Sequence, residues 1–407
     1  MAVEPVLLNP IRSVLNCAWL INPDQPPKQN VRVTIEQGLV TDLSPVPADE
    51  RSSVRPIALL PRFVNAHTHL EFSDLSEPLP PPAPFPDWIR SVIRHRVARS
   101  QQVRHPATAI QRGWQESVSC GVDLVGEITT SEAGCRVLIE QTGDDMARAV
   151  SFRELIGFTA DRIVDQSQLA RQHLQAHHSH AVIPGLSPHA PYSVHPDIVD
   201  AAAQLACTAK VPVAMHLAET RDEIQLLKHR TGPFVDFLKS MNLWDDSVLT
   251  SVSQPLDYLD RLAQAPHALA VHGNYFCEAD VQFLQKNRHV AVVYCPRTHA
   301  WFGHPRHPWQ QMRAAGATVI LGTDSRASNP DLSIWAELQH VTASQRQEPL
   351  WKLLPMITTI AASALDQRPT RFTIAVGQPL RAVEIACPCS TQATLNEHLM
   401  SSNAIPL

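Results

Sequence analysis

Residues 61–74 read Pro-Arg-Phe-Val-Asn-Ala-His-Thr-His-Leu-Glu-Phe-Ser-Asp and extend an apolar run that starts at Ile57. In a strand, residues two apart share a face, so His67 and His69 project together at the end of a strand buried on both sides. Two neutral imidazoles converging from one strand make half of a metal site. Taken alone, the pair could equally be two ordinary loop histidines. The decision therefore rests on the rest of the chain.

At 407 residues the chain can bury one large α/β core and a smaller one beside it. A hydrophobic content of 44% with 18% charge describes a globular protein, not a disordered one. A net charge of −5 gives no footprint for nucleic acid or for an anionic membrane. The start, MAVEPVLLNPIRS, places Glu4 early and has no apolar core of the signal-peptide kind. No uncharged apolar run approaches the ~18–20 residues needed to span a bilayer. The eight cysteines are scattered without a CxxC pair. These features predict a cytoplasmic protein with reduced thiols, acting on a small molecule.

Strand-like and helix-like stretches alternate along the middle of the chain, the signature of a parallel sheet with helical crossovers. Eight strands are expected: 59–69, 121–128, 147–155, 181–186, 211–219, 268–274, 290–295 and 318–324. Helical patterns separate most of them, which predicts an α/β fold of the (β/α)8 TIM-barrel type over residues 59–365. Alternating segments near residues 31–43, and again at 371–377 and 382–386, predict a small β-sandwich domain built from both termini, 1–58 with 366–407. The proline-rich stretch 75–86 reads as a loop beside the site.

Catalytic groups of such barrels sit where the strands end. Strand one ends in His67 and His69, strand five in His216 and Glu219, strand six in His272, and strand eight in Asp324. Four of eight ends carrying histidine or carboxylate in apolar surroundings is a pattern that isolated structural residues do not explain. The stretches VNAHTHLE, MHLAET, VHGNY and GTDSRAS resemble, in this order, the signatures of the amidohydrolase superfamily, in its deaminase and chlorohydrolase branch. The run from His67 to Ser73, with Trp88 to Arg96, is similar to aminodeoxyfutalosine deaminases. The resemblance implies metal ligands His67, His69, His216 and Asp324, with Glu219 as proton shuttle and His272 beside a metal-activated water. It also implies His189 as a substrate contact, from Ser187-Pro188-His189-Ala190-Pro191-Tyr192, and a homodimer.

Three imidazoles and one carboxylate suit a single divalent ion, Zn²⁺ or alternatively Fe²⁺. Only six of the 34 basic residues are lysine, and none lies between Lys28 and Lys210. That gap excludes a lysine-bridged metal pair, although Glu127 or Glu154 could in principle bridge a second ion. The expected reaction is hydrolytic deamination of an amino-substituted nitrogen heterocycle. Hydrolysis of a halide or cyclic amide at the same site is the alternative, and a non-catalytic binding barrel the remote one. For the substrate we expect Glu71, Phe72, Trp88, Arg94 and Arg153 to contribute, with Phe85 and Ile89 as an apolar wall. Arg94, Arg96 and Arg99 stand where relatives place a ribose-binding glutamate, which suggests a carboxylate-bearing substrate. His173, His177, His178 and His180 read as a solvated surface, and His299, His304 and His307 as a loop near the barrel mouth.

Overall fold

The apolar run that opens on Ile57 is divided between two sheets. The computed structural model describes residues 12–81, 84–101, 106–143, 146–176, 180–345, 348–389 and 391–407. Four strands precede the break at Arg62: β1 (Arg12–Leu20), β2 (Lys28–Glu36), β3 (Leu39–Pro45) and β4 (Arg55–Pro61). They join β13 (Ala382–Ala386) and β14 (Ala404–Pro406) in one six-stranded sheet of order β14-β13-β4-β1-β2-β3. Gln37 and Gly38 form the β2–β3 hairpin turn with φ of 53° and 79°, the two left-handed positions of a type I′ turn. The expected single strand over 59–69 is thus two strands, because residues up to Pro61 pair with β1 and β13.

The barrel follows: β5 (Phe63–Thr68), β6 (Val122–Thr129), β7 (Arg148–Leu155), β8 (Val182–Pro188), β9 (Val213–Leu217), β10 (Ala268–His272), β11 (Val290–Tyr294) and β12 (Val319–Leu321). Each is parallel to its neighbour in chain order. The ring closes where Thr323 and Asp324 donate their N–H groups to the His67 carbonyl, each at 3.1 Å. This is the (β/α)8 barrel, with helices such as Phe85–Gln101 and Pro196–Ala209 outside it. Its interior is packed by Val64, Ala66, Val150, Phe152, Ala214, Val271 and Ile320, among others, and Phe372 belongs to the same cluster.

Two other expectations change. Residues 371–377 do not form a strand: Pro369–Phe372 is a 3-10 turn, and the Ile374 N–H goes to the Asn22 side chain. Proline at the turn and a side-chain acceptor leave no ladder to continue. His173 is buried, its Nε2 3.0 Å from the Ser151 carbonyl, because the last turn of its helix packs on β7 instead of facing water. His177 and His178 lie outside the described residues, as do residues 1–11 at the start of the chain and residues 82 and 83 of the proline-rich loop. Among the described residues, no helix is long and apolar enough to cross a membrane.

Candidate active site

The interior-facing residues of each strand point along one alternating phase, and that phase predicts what reaches the barrel mouth. On β9, Ala214 faces the interior, so His216 follows it. Past β12, the phase of Ile320 carries to Gly322, and Asp324 follows on a left-handed backbone. On β5 the phase is broken: Val64 and Ala66 face inward, which would send His67 and His69 outward. A register irregularity in the β5–β6 pairing between Asn65 and Thr68 shifts the strand by one residue and turns both imidazoles in. His272 also falls out of phase with Leu269 and Val271, and its left-handed backbone, φ 75°, re-aims it. Ala218 and Asp324 adopt φ of 54° and 57°. Strained backbone at three strand ends is a mark of a site, since non-glycine residues adopt it only where surroundings enforce it. Gly322 allows the closure, because a Cβ there would stand 2.9 Å from both Cβ and O of His67.

The result is a buried cluster. Ring nitrogens of His67, His69 and His216 lie within 4.8 Å of one another. The Nε2 atoms of His69 and His216 are 3.2 Å apart, and Asp324 Oδ1 lies 3.8 Å from His67 Nε2 and 3.6 Å from His69 Nε2. His216 Nδ1 donates to the His189 carbonyl at 2.9 Å, which leaves Nε2 as a bare lone pair facing the cluster. His67 Nε2 and His69 Nδ1 are buried without a hydrogen-bond partner. Buried polar atoms are nearly always satisfied, and the converging Nε2 atoms of His67, His69 and His216 with one carboxylate fit a divalent cation.

Burial pushes His69 and His216 well below the usual imidazole range, with His67 adding to the shift of both. His272 is pushed the same way by burial. Burial also works against ionisation of Asp324, but His67 and His69 beside it hold its carboxyl well below the usual range. Its Oδ2 accepts from Ser328 Oγ at 2.8 Å.

Glu219 lies beside His272 and Tyr192. Its Oε1 is 3.5 Å from His272 Nε2, and Tyr192 donates to its Oε2 at 3.5 Å. Burial pushes its carboxyl well above the usual range, and Asp324 and Glu223 add to the shift. The turn that presents it is fixed by Glu223, whose carboxylate accepts the N–H groups of Ala218 at 2.7 Å and Glu219 at 3.0 Å. The His272 carbonyl is held by His307 Nε2 at 2.8 Å, so the histidine-rich loop acts behind the site.

These groups form the closed end of a cavity of about 480 Å³. His189, Phe72, Trp88, Phe85 and Ile89 line it. Glu71, Arg94 and Arg153 are not among its lining residues. Glu71 is buried against Arg96 and Arg99, at 2.6 and 2.8 Å, so its carboxylate is consumed by an ion cluster. Arg94 bonds Ser91 on the exposed side of its helix. Arg153 shares the outward phase of Ala149 and Leu155 and lines a separate cleft with Glu132 and His173. Its neighbour Glu154 continues the inward phase of Val150 and Phe152 and lines the main cavity, a contact the alternation of β7 alone could have supplied.

Comparison with known proteins gives one family and a consistent set of relatives. The amidohydrolase family model matches residues 58–377. The 5-methylthioadenosine/S-adenosylhomocysteine deaminase of Pyrococcus horikoshii is 25% identical over 319 residues, 74% of this chain and 67% of that one. The aminodeoxyfutalosine deaminase of Deinococcus radiodurans is 28% identical over 305 residues, 72% of this chain and 69% of its own. Across such relatives the match spans between 59% and 69% of their length. The crystal structure of Helicobacter pylori aminofutalosine deaminase in complex with methylthio-coformycin superposes with a TM-score of 0.81, covering 97% of both chains at 20% identity.

Proposed function

The chain belongs to the amidohydrolase family, and from that premise we propose that it is a metal-dependent hydrolase of carbon–nitrogen bonds that deaminates an amino-substituted nitrogen heterocycle. Water replaces the amino group on the ring carbon, and ammonia leaves. The observation that carries the reading is the convergence of His67, His69, His216, Asp324 and Glu219 at the closed end of a largely apolar cavity. His67, His69, His216 and Asp324 would hold the cation, with Zn²⁺ favoured by three nitrogen donors and one carboxylate and Fe²⁺ the second choice. When bound, such an ion lowers the pKa of water towards ~7 and so supplies a nucleophile at neutral pH.

The chain's own residues do the rest. Glu219 gives a proton to the ring nitrogen next to the reacting carbon, which makes that carbon electrophilic. Tyr192 and His272 fix the carboxyl in place, and His272 faces the oxygen on which charge develops. Asp324 takes the second proton of the attacking water and passes it to the departing ammonia. His189, pushed down to about 3 by burial and by Arg96, is a neutral imidazole that contacts the ring edge opposite Glu219. Its Nδ1 lies 2.6 Å from Ser193 Oγ, which fixes the ring's orientation. The eight cysteines, none in a disulfide, support a cytoplasmic setting, and the assembly we propose is a homodimer.

The test is ammonia release by zinc-loaded protein from aminopurine nucleosides, aminopterins and aminotriazines. Release from at least one class, lost on chelation and restored by Zn²⁺, is the expected result. No ammonia from any aminated ring overturns the reading.

A further inference from the structure

Cys387-Pro388-Cys389 follows β13, where the chain leaves the six-stranded sheet for the helix Gln392–Ser401, and takes no part in the site described above. The two thiols meet there, with Sγ of Cys387 3.1 Å from Sγ of Cys389. That is closer than the ~3.5–4.0 Å at which even the smaller carbon atoms rest unbonded, and about 1 Å beyond a disulfide bond of ~2.05 Å. The backbone around them is pinned at three points. The Cys387 N–H donates to the Pro56 carbonyl at 2.8 Å, and the Cys389 carbonyl accepts from Trp19 Nε1 of β1 at 3.1 Å. Pro388 between them has its φ fixed by its ring.

The two sulfurs differ in access. Cys387 is fully buried, whereas Cys389 is half-buried and follows the exposed Pro388. Burial, and then Cys389 beside it, push the Cys387 thiol up to about 12, which leaves Cys389 to react first. Among the described residues, the one metal-ligating group of three or more lies at His67, His69 and His216, so no third ligand joins the thiols to hold an ion. A bridge between residues two apart closes too short a loop to remove much freedom from the unfolded chain, and so is no structural staple. Disulfides of reduced compartments are mostly transient, and exposed or strained ones are readily reduced.

We propose that Cys387 and Cys389 are a redox modification site, which forms a reversible intrachain disulfide with a low-molecular-weight disulfide as oxidant. The Cys389 thiol loses its proton to solvent, attacks one sulfur of the oxidant and displaces the other as a thiolate. The Cys387 thiol then loses its proton, attacks Cys389 Sγ and expels the second half of the oxidant, again as a thiolate. Two protein S–H bonds and the S–S bond of the oxidant break, and one protein S–S bond forms. The oxidant takes up two electrons and, with the two released protons, becomes two small thiols.

The test exposes zinc-loaded full-length protein to about 5 mM oxidised glutathione at about pH 8, blocks the remaining thiols with N-ethylmaleimide and digests with trypsin. Residues 382–407 follow Arg381 as one peptide without Lys or Arg, with Cys387 and Cys389 as its only cysteines. We expect this peptide to be about two mass units lighter, with neither maleimide nor glutathione attached. Treatment with about 5 mM reduced glutathione before blocking should restore both maleimides. The exposed Cys207 and Cys277 should carry glutathione or maleimide throughout. Cys387→Ala should leave one glutathione on Cys389, and Cys389→Ser should leave Cys387 without one. Two maleimides on the oxidised wild-type peptide overturn the inference, as does glutathione retained on its Cys389. A bridge that reduced glutathione leaves intact overturns its reversibility, and an unmodified Cys389 in Cys387→Ala overturns the order of attack.

Discussion

Glu219 and Glu154 are two buried glutamates in one cavity, and their surroundings give them different work. Glu219 is held by Tyr192 and faces His272, so replacing its carboxyl by an amide of the same shape removes only the transferable proton. Glu219→Gln should lower kcat by about 10²–10⁴-fold with bound metal and melting temperature unchanged; near-normal turnover would remove Glu219 from the chemistry. Glu154 instead bears on stability. Its carboxyl is pushed up from 4.5 to about 7 by burial, with Arg96 opposing and Glu71 reinforcing. A folded-state value above the unfolded one means that the folded chain binds the proton more tightly. The stabilisation is then complete below about pH 4.5 and lost as pH rises through about 7. Glu154→Gln should therefore gain on the wild type between pH 5 and pH 8, by at most about 3 kcal/mol. Urea unfolding at the two pH values measures this, and parallel changes in the two proteins would contradict it.

At the scale of strands and helices, the sequence shows which residues belong to the site better than it shows how they arrive there. Alternation on β9 predicts His216 directly, because its phase runs unbroken from the packed interior, whereas Asp324 lies past the end of β12 on a left-handed backbone. For His67 and His69 the pairing of the two imidazoles is legible, but the irregularity that turns them inward depends on hydrogen bonds to β6, which no local pattern reveals. The left-handed turn at His272 is hidden for the same reason. A carboxylate so near a metal ligand reads as a substrate contact, but the partners of Glu71, Arg96 and Arg99, lie 25 and 28 residues away on the helix Phe85–Gln101, beyond any local pattern. That ion cluster ties the cavity wall to the turn that follows His69, and Arg99 also donates to the Glu71 carbonyl. Glu71→Ala would leave the buried Arg99 guanidinium with the residue 71 carbonyl and one distant carboxylate, Asp74, 3.8 Å away. A loss of about 3–5 kcal/mol is expected, with faster amide exchange along the helix Phe85–Gln101. Unchanged exchange there would show that the wall is held by its apolar contacts alone.

Over the whole molecule, the two sheets are joined at the floor of the barrel, far from the chemistry. Asp123, near the start of β6, is fully buried and accepts from Arg371 at 2.7 Å and from Arg381 at 3.0 Å. Arg371 lies in the turn whose Phe372 packs with the barrel interior, and Arg381 immediately precedes β13 of the six-stranded sheet. One carboxylate thus fastens the floor of the barrel and the return of the chain into the other sheet. Asp123→Ala removes the carboxylate shared by two guanidinium groups and should cost about 3–5 kcal/mol. Arg371→Ala removes the same contact from the other side, so the double variant should lose less than the two single losses combined, with a coupling of about 0.5–3 kcal/mol. Because β6 rises at ~3.3 Å per residue from Asp123 towards the mouth, the floor is remote from Glu219 and His216. Well below the melting temperature, kcat/KM of Asp123→Ala should therefore match the wild type. Additive losses would mean that Asp123 and Arg371 act independently, and a parallel fall in kcat/KM would mean that the floor helps to position the site.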